Sequence, residues 1–245
     1  MLTRDERLAT AREAIDYITG RSNAEQGVDV PNCPGWSVYN AAVHVGRVLV
    51  AWEGMINSGP GEEGARDRAY EVSNAKPPGA PMTDLAAWAH SAIDALEGPR
   101  RECFFSMTGG VGDTDLWAWH APSELGVHRL DVEAALGHEH SMTPTQAQDA
   151  IAYAAAYFMP MMRSVTGMDP GALTLELLDT AETVPAIVEI RSDSARSATI
   201  RGPAVHVLLG LWGRPHGELV VSGHRDVWEG WRALPAQAFQ FGTWD

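Results

Sequence analysis

The segment from Ser37 to Trp52 constrains this chain most. Val38, Ala41, Ala42, Val45, Val48, Leu49 and Trp52 recur at i, i+3, i+4, i+7, i+10, i+11 and i+14, the spacing of one face of an α-helix. Ser37 stands just before the run, where its hydroxyl can cap the first turn. A helix with so broad an apolar stripe must bury it against other elements, and the neighbouring sequence offers more helices. Leu2, Leu8, Ala9, Ala11, Ala14, Ile15 and Ile18 predict a first helix that closes with Gly20 at C′. Further helices are expected over residues 83–96, ended by Gly98 and Pro99, from Pro122 to near Gly137, and over 145–162. Gly27, Pro31, Pro34 and Gly35 make the approach to Trp36 irregular, and residues 58–64 read as a polar linker.

Beyond Gly167 the grammar changes to short runs rich in β-branched residues. Residues 173–178, 184–190 and 198–200 read as strands, 203–212 as a helix, and 218–222 as one more strand. The expected fold is therefore mainly α plus α/β, with a helical bundle over residues 1–166 and a small α/β domain over 167–245.

With 32 acidic against 18 basic residues, the formal net charge of −14 repels a nucleic-acid backbone. A small anionic substrate is still permitted, because a local arginine can overrule a screened, distant field. Cys33 and Cys103 have no CxxC spacing and read as ordinary thiols of a reducing compartment. Residues 1–20 are charged and amphipathic, unlike a signal peptide, and no apolar run has the length of a membrane span. A soluble cytoplasmic protein, monomer or homodimer, is expected.

At about 100° per residue, Glu124, His128 and Asp131 fall in one narrow stripe of the fourth helix, flanked by Leu125 and Val132 on one side and Val127 and Ala134 on the other. Arg129 and Glu133 lie roughly opposite, where solvent is expected. A carboxylate in the middle of an apolar face needs a partner. His44, at the edge of the second helix's stripe, can supply one. Two histidines and a carboxylate suit Zn²⁺ and leave a fourth position open, as catalytic sites do. An ordinary surface pair of Glu124 and His128 is the plainer alternative. His120 competes with His44 as a third ligand, although Pro122 suggests that the helix begins after it. Asp131 either orients a ligand or pairs with Arg47 or Arg129.

On these residues the sequence resembles the mycothiol-dependent maleylpyruvate isomerase family. The pieces that carry the likeness are Pro34-Gly35-Trp36-Ser37-Val38, with His44 in the helix that follows, and Glu124-Leu125-Gly126-Val127-His128-Arg129-Leu130-Asp131. The resemblance implies a DinB-like bundle in which His44, Glu124 and His128 bind a divalent metal, typically zinc, with mycothiol as the thiol cofactor. The tail, through Leu208-Leu209-Gly210-Leu211-Trp212-Gly213-Arg214, is similar to the family's sterol-carrier-like domain, and the likeness implies that Arg214 helps to shape the active site and bind the cofactor. A surface arginine at a helix end is the alternative for Arg214.

A thiol on an open metal site loses its proton near neutral pH, so no catalytic cysteine is needed. The resemblance implies addition of that thiolate to maleylpyruvate, rotation and elimination to fumarylpyruvate, or S-transfer to another small electrophile. A metal-activated hydrolase and a non-catalytic metal-binding or regulatory module are the alternatives. Trp36, Trp52, Trp88, Trp117 and Trp119 read as core or pocket walls, and His138 and His140 as solvated. No GxGxxG or GxxxxGK pattern is present in the sequence.

Overall fold

Thr3 and Glu6 form a capping box that opens α1 (Arg4–Thr19), satisfying N–H groups that a helix start leaves bare. The computed structural model describes residues 1–180 and 186–238. After α1 come the short α2 (Asn23–Gln26), then α3 (Val38–Ile56), α4 (Ala65–Asn74) and α5 (Met82–Asp94). A two-stranded ladder of β1 (Glu102–Cys103) and β2 (Gly112–Asp113) precedes α6 (Thr114–Leu136). Gly20 does follow α1, but at φ −82° it is not left-handed. What the glycine supplies is room, since a Cβ there would stand 2.6 Å from the Asp16 carbonyl oxygen.

The apolar face of α3 is buried as its periodicity predicts except at Val48, which is partly exposed, and Ser37 is its N-cap, accepting from Asn40 N–H. Helix α4 is an addition to the sequence reading. Its buried residues Ala65, Ala69 and Ser73 recur every fourth position but are small, so the stripe carries little hydrophobic signal. Small residues serve close approach here: a Cβ at Gly54 of α3 would lie 3.0 Å from Ala69 Cβ.

Helix α6 differs most from expectation. It begins at Thr114, and Pro122 lies inside it. The start is set by Asp113, whose carboxylate accepts from Asp115 N–H at 2.9 Å and Leu116 N–H at 3.0 Å. Arg100 donates to the other oxygen of the same carboxylate. Pro122 removes the N–H that would pair with the Ala118 carbonyl, yet the helix continues because it is buried nearly all round, from Trp117 to Glu133. Glu133, expected in solvent, is 1 % exposed. The chain turns back after Gly137, and Ser141 N–H and Oγ both donate to the Glu133 carboxylate, as does Arg129 Nε.

The compact units part after Ser141, ahead of the boundary expected at 166: Thr3–Ser141 forms one, and 142–238 with Met1–Leu2 the other. In the second unit α7 (Pro144–Tyr153) runs through a π-helical stretch (Ala154–Phe158) into α8 (Met159–Thr166). Helix α7 packs on α9 (Ala204–Leu211), and α8 on α10 (Arg225–Ala238), so the expected fifth helix belongs with the sheet. The sheet comprises β3 (Ala172–Leu177), β4 (Ala186–Ile190), β5 (Ser197–Gly202) and β6 (Val220–Gly223). Their order is β4-β3-β5-β6, with β3 and β5 parallel and the outer pairs antiparallel. Leu173, Leu175 and Leu177 alternate inward from β3. Val184 and Pro185 of the expected strand lie outside the described residues. Helix α10 was not anticipated, although Val227, Trp228, Trp231 and Leu234 follow a helical period and are buried. The fold is thus mainly α with a small α/β unit, and no helix among the described residues is long and apolar enough to cross a membrane.

The Asp113 cap yields a test of where α6 begins. Asp113→Ala should lower the unfolding free energy by about 1–2 kcal/mol, measured by urea denaturation. Asp113→Asn should retain most of the cap, since an amide oxygen also accepts; equal stability of all three proteins would place the helix start elsewhere.

Candidate metal centre

Capping by Ser37 places His44 in the second turn of α3, and α6 presents Glu124 and His128 one turn apart. The three side chains converge. Glu124 Oε1 lies 3.6 Å from His44 Nε2 and 3.4 Å from His128 Nε2. Tetrahedral Zn²⁺ with ligand bonds of about 2.0–2.1 Å sets neighbouring ligand atoms about 3.4 Å apart. The donor set and its spacing therefore fit a divalent metal, and all three donor atoms lie within 4.8 Å of one another. Side-chain exposure is 13 % for His44, 14 % for Glu124 and 4 % for His128, so the cluster is shielded but is reached by solvent from the His44 and Glu124 side.

Electrostatics tie the cluster together. Burial pushes the Glu124 carboxyl up, but hydrogen bonding to His128 and His44, with the charges of His128 and His120, holds it well below the usual carboxylate range. Burial pushes His128 down, while Asp131, Cys33 and Glu124 outweigh this and hold it well above an ordinary imidazole. Trp36, 5 % exposed, walls the cluster. Its ring centroid lies 4.9 Å from that of His44 and 5.8 Å from that of His128.

Asp131 is fully buried behind His128, with Oδ2 at 3.3 Å from His128 Nδ1. Asn32 Nδ2 donates to Oδ1 at 3.1 Å and Cys33 Sγ to Oδ2 at 3.4 Å. Arg129 pairs instead with Glu133, and Arg47 donates to the Lys76 carbonyl. Cys33 is thus drawn into the site, contrary to its reading as an ordinary thiol. Cys103 is buried, and burial pushes its thiol up to about 11.

His120 lies within α6, four residues before Glu124, not ahead of the helix as Pro122 suggested. Its ring packs at a 45° tilt against Trp52, 4.4 Å between centroids, and it belongs to neither cluster of potential ligands among the described residues, which are His44/Glu124/His128 and Cys33/His128/Asp131. Tyr70 went unnoticed because α4 did. Burial raises its phenol, Arg66 opposes this, and the nearby Glu124 charge adds to the rise. Arg214, in the other unit, is buried rather than on the surface, and its Nη1 donates to the Trp212 carbonyl at 2.8 Å. His138 and His140 are exposed, as expected.

Fold and site together define a class: a helical bundle with a largely shielded His, Glu, His cluster, followed by a small α/β unit. The chain belongs to the family described as the mycothiol maleylpyruvate isomerase N-terminal domain, whose model matches residues 8–133. That span contains all three cluster residues and stops short of Arg214. Among solved structures, the chain is similar to the mycothiol-dependent maleylpyruvate isomerase and to a histidine-to-alanine mutant of that enzyme. In each case the identity is 16 %, the match covers 90 % of this chain and 93 % of the other, and the TM-score is 0.59. At that identity the likeness is one of fold. No protein of curated function matches the sequence.

His120 gives the site unit a pH signature. Burial pushes its pKa from an ordinary 6.5 down to about 4, against the opposing charge of Glu124. An unfolded chain therefore takes up a proton that the folded one refuses, and stability declines as pH falls from about 6.5 to about 4. The His120→Leu variant should show a stability–pH slope shallower by up to about 1.4 kcal/mol per pH unit in that window, read from denaturation midpoints. Parallel slopes would mean that His120 titrates normally.

Proposed function

We propose that this chain is a metal-dependent enzyme that uses a low-molecular-weight thiol, mycothiol, either in an isomerisation like that of maleylpyruvate or in S-transfer to a small electrophile. The observation that carries the reading is the convergence of His44, Glu124 and His128 at the spacing of zinc ligands. Membership of the family supports it, as does the likeness in fold to the mycothiol-dependent maleylpyruvate isomerase.

In this reading His44, Glu124 and His128 hold a divalent metal, zinc in particular. Bound there, it would supply Lewis acidity that lets a thiol ionise near neutral pH. The protein's own groups do the rest. Asp131 faces His128 Nδ1 and so keeps Nε2 turned toward the other two ligands. Trp36 covers both imidazoles and limits the approach of water from its side. The partly exposed edge of His44 and Glu124 is where thiol and substrate would enter. Arg214 is assigned to the thiol or to the carboxylates of the substrate, as a cation that a net charge of −14 does not cancel locally.

Mass spectrometry of acid-digested, untagged protein should give about one zinc per chain, lost in His44→Ala and His128→Ala, which should also lose all thiol-dependent turnover. Arg214→Ala should keep the metal and raise KM for the thiol or lower kcat. Wild-type protein that neither contains zinc nor takes it up would overturn the reading, and turnover undiminished by omitting thiol would favour a hydrolase instead.

A further inference from the structure

The loop that delivers the chain into α3 is built as a strap across the back of the cluster. Asp29 pairs with Ser37 in an antiparallel bridge, Val38 N–H donates to the Val28 carbonyl at 2.9 Å, and Val30 N–H donates to the Trp36 carbonyl at 2.8 Å. Within it, Cys33 N–H donates to the Val30 carbonyl, Trp36 N–H donates to the Cys33 carbonyl, and Gly35 at φ +84° makes the turn. So tied, the loop points three side chains at one place. Trp36 lies against His44 and His128, while Asn32 and Cys33 donate to different oxygens of Asp131.

An imidazole that donates from one nitrogen offers its lone pair at the other. Here Nδ1 of His128 faces Asp131 at 3.3 Å, and Nε2 faces Glu124 at 3.4 Å. The carboxylate can hold that orientation only if its own position is defined, and hydrogen-bond donors on its oxygens fix a fully buried carboxylate in place. The loop supplies a donor to each oxygen.

We propose that Asn32 and Cys33 are positioning residues for the metal centre: they hold Asp131, which holds His128 with Nε2 turned toward His44 and Glu124, so that the loop before α3 helps to set the metal affinity. The inference rests on the metal-site reading above. Because both residues act through a single carboxylate, their effects vanish once Asp131 can no longer do its part. Cys33, His128 and Asp131 are also close enough to one another to ligate a cation themselves. The Asn32 amide on the same carboxylate and the thiol donating to it favour the hydrogen-bonded arrangement.

Zinc affinity of the full-length, metal-stripped protein, measured by competition with a chromophoric chelator at fixed pH, tests this. Asp131→Asn should weaken zinc about ten- to a hundredfold, and Asn32→Ala and Cys33→Ala severalfold to about tenfold. Cys33→Ser, whose hydroxyl still donates, should stay near wild type. In an Asp131→Asn background, removing Asn32 or Cys33 should add less than about twofold. A loop that matters only for folding would instead give losses that multiply, and such losses, or single variants with wild-type affinity, would overturn the proposal. Binding of two zinc ions per chain, one lost in Cys33→Ala, would make Cys33 a ligand and overturn it too. Near-UV circular dichroism of the metal-free proteins identifies a variant that fails to fold; if Asn32→Ala does, Cys33→Ala against Cys33→Ser carries the same comparison. Zinc bound by wild type and lost in His44→Ala, with unaltered loop variants, defeats the loop's role alone. Absence of zinc binding in wild type defeats the metal reading beneath it.

Discussion

Two carboxylates and an imidazole on a single buried helix are the constraint from which the rest of this structure follows. Glu124, His128 and Asp131 occupy consecutive turns of α6 in the interior of the bundle, where an unsatisfied charge would cost several kcal/mol. The fold meets that cost by bringing complementary groups from elsewhere in the chain. His44 comes from α3, and Asn32, Cys33 and Trp36 from the loop ahead of it. The same convergence that satisfies the buried polar groups leaves three donor atoms aimed at one point, which is the arrangement a divalent metal requires.

Close packing keeps these elements within reach. Gly46 of α3 allows contact with α5, where a Cβ would lie 3.0–3.2 Å from Leu85, and Gly54 does the same for Ala69 of α4. Small residues at these crossings bring the helix axes together. The close approach of α4 that Gly54 allows also brings Tyr70 within the influence of the Glu124 charge. Helix α6 is held at its start by Asp113 and at its end by the donors that Ser141 and Arg129 direct to Glu133, so the turns that carry Glu124 and His128 lie between two fixed points.

Much of this was legible from residue spacing. The period of α3, its Ser37 cap and the stripe of Glu124, His128 and Asp131 are local properties, and they led to the cluster that the structure brings together. The elements that escaped notice share a physical feature. Helix α4 buries only Ala and Ser, so it shows no hydrophobic period, and the first turns of α6 were obscured by Pro122, whose penalty is local while the burial that offsets it is not. Glu133 was expected in solvent because helical angle alone cannot report that the chain returns over that face.

What the sequence determined by itself was therefore the set of elements with strong periodicity, the chemistry of the cluster and the helical turn that joins Glu124 to His128, since each depends on neighbours within a few residues. Tertiary structure alone decided that His44 rather than His120 completes the set, because both can be placed near Glu124 by sequence and only the crossing of α3 with α6 brings one of them to 3.6 Å. It also decided that Asp131 is held by Asn32 and Cys33. Those contacts join residues about a hundred positions apart, and no local rule of spacing or propensity reaches so far.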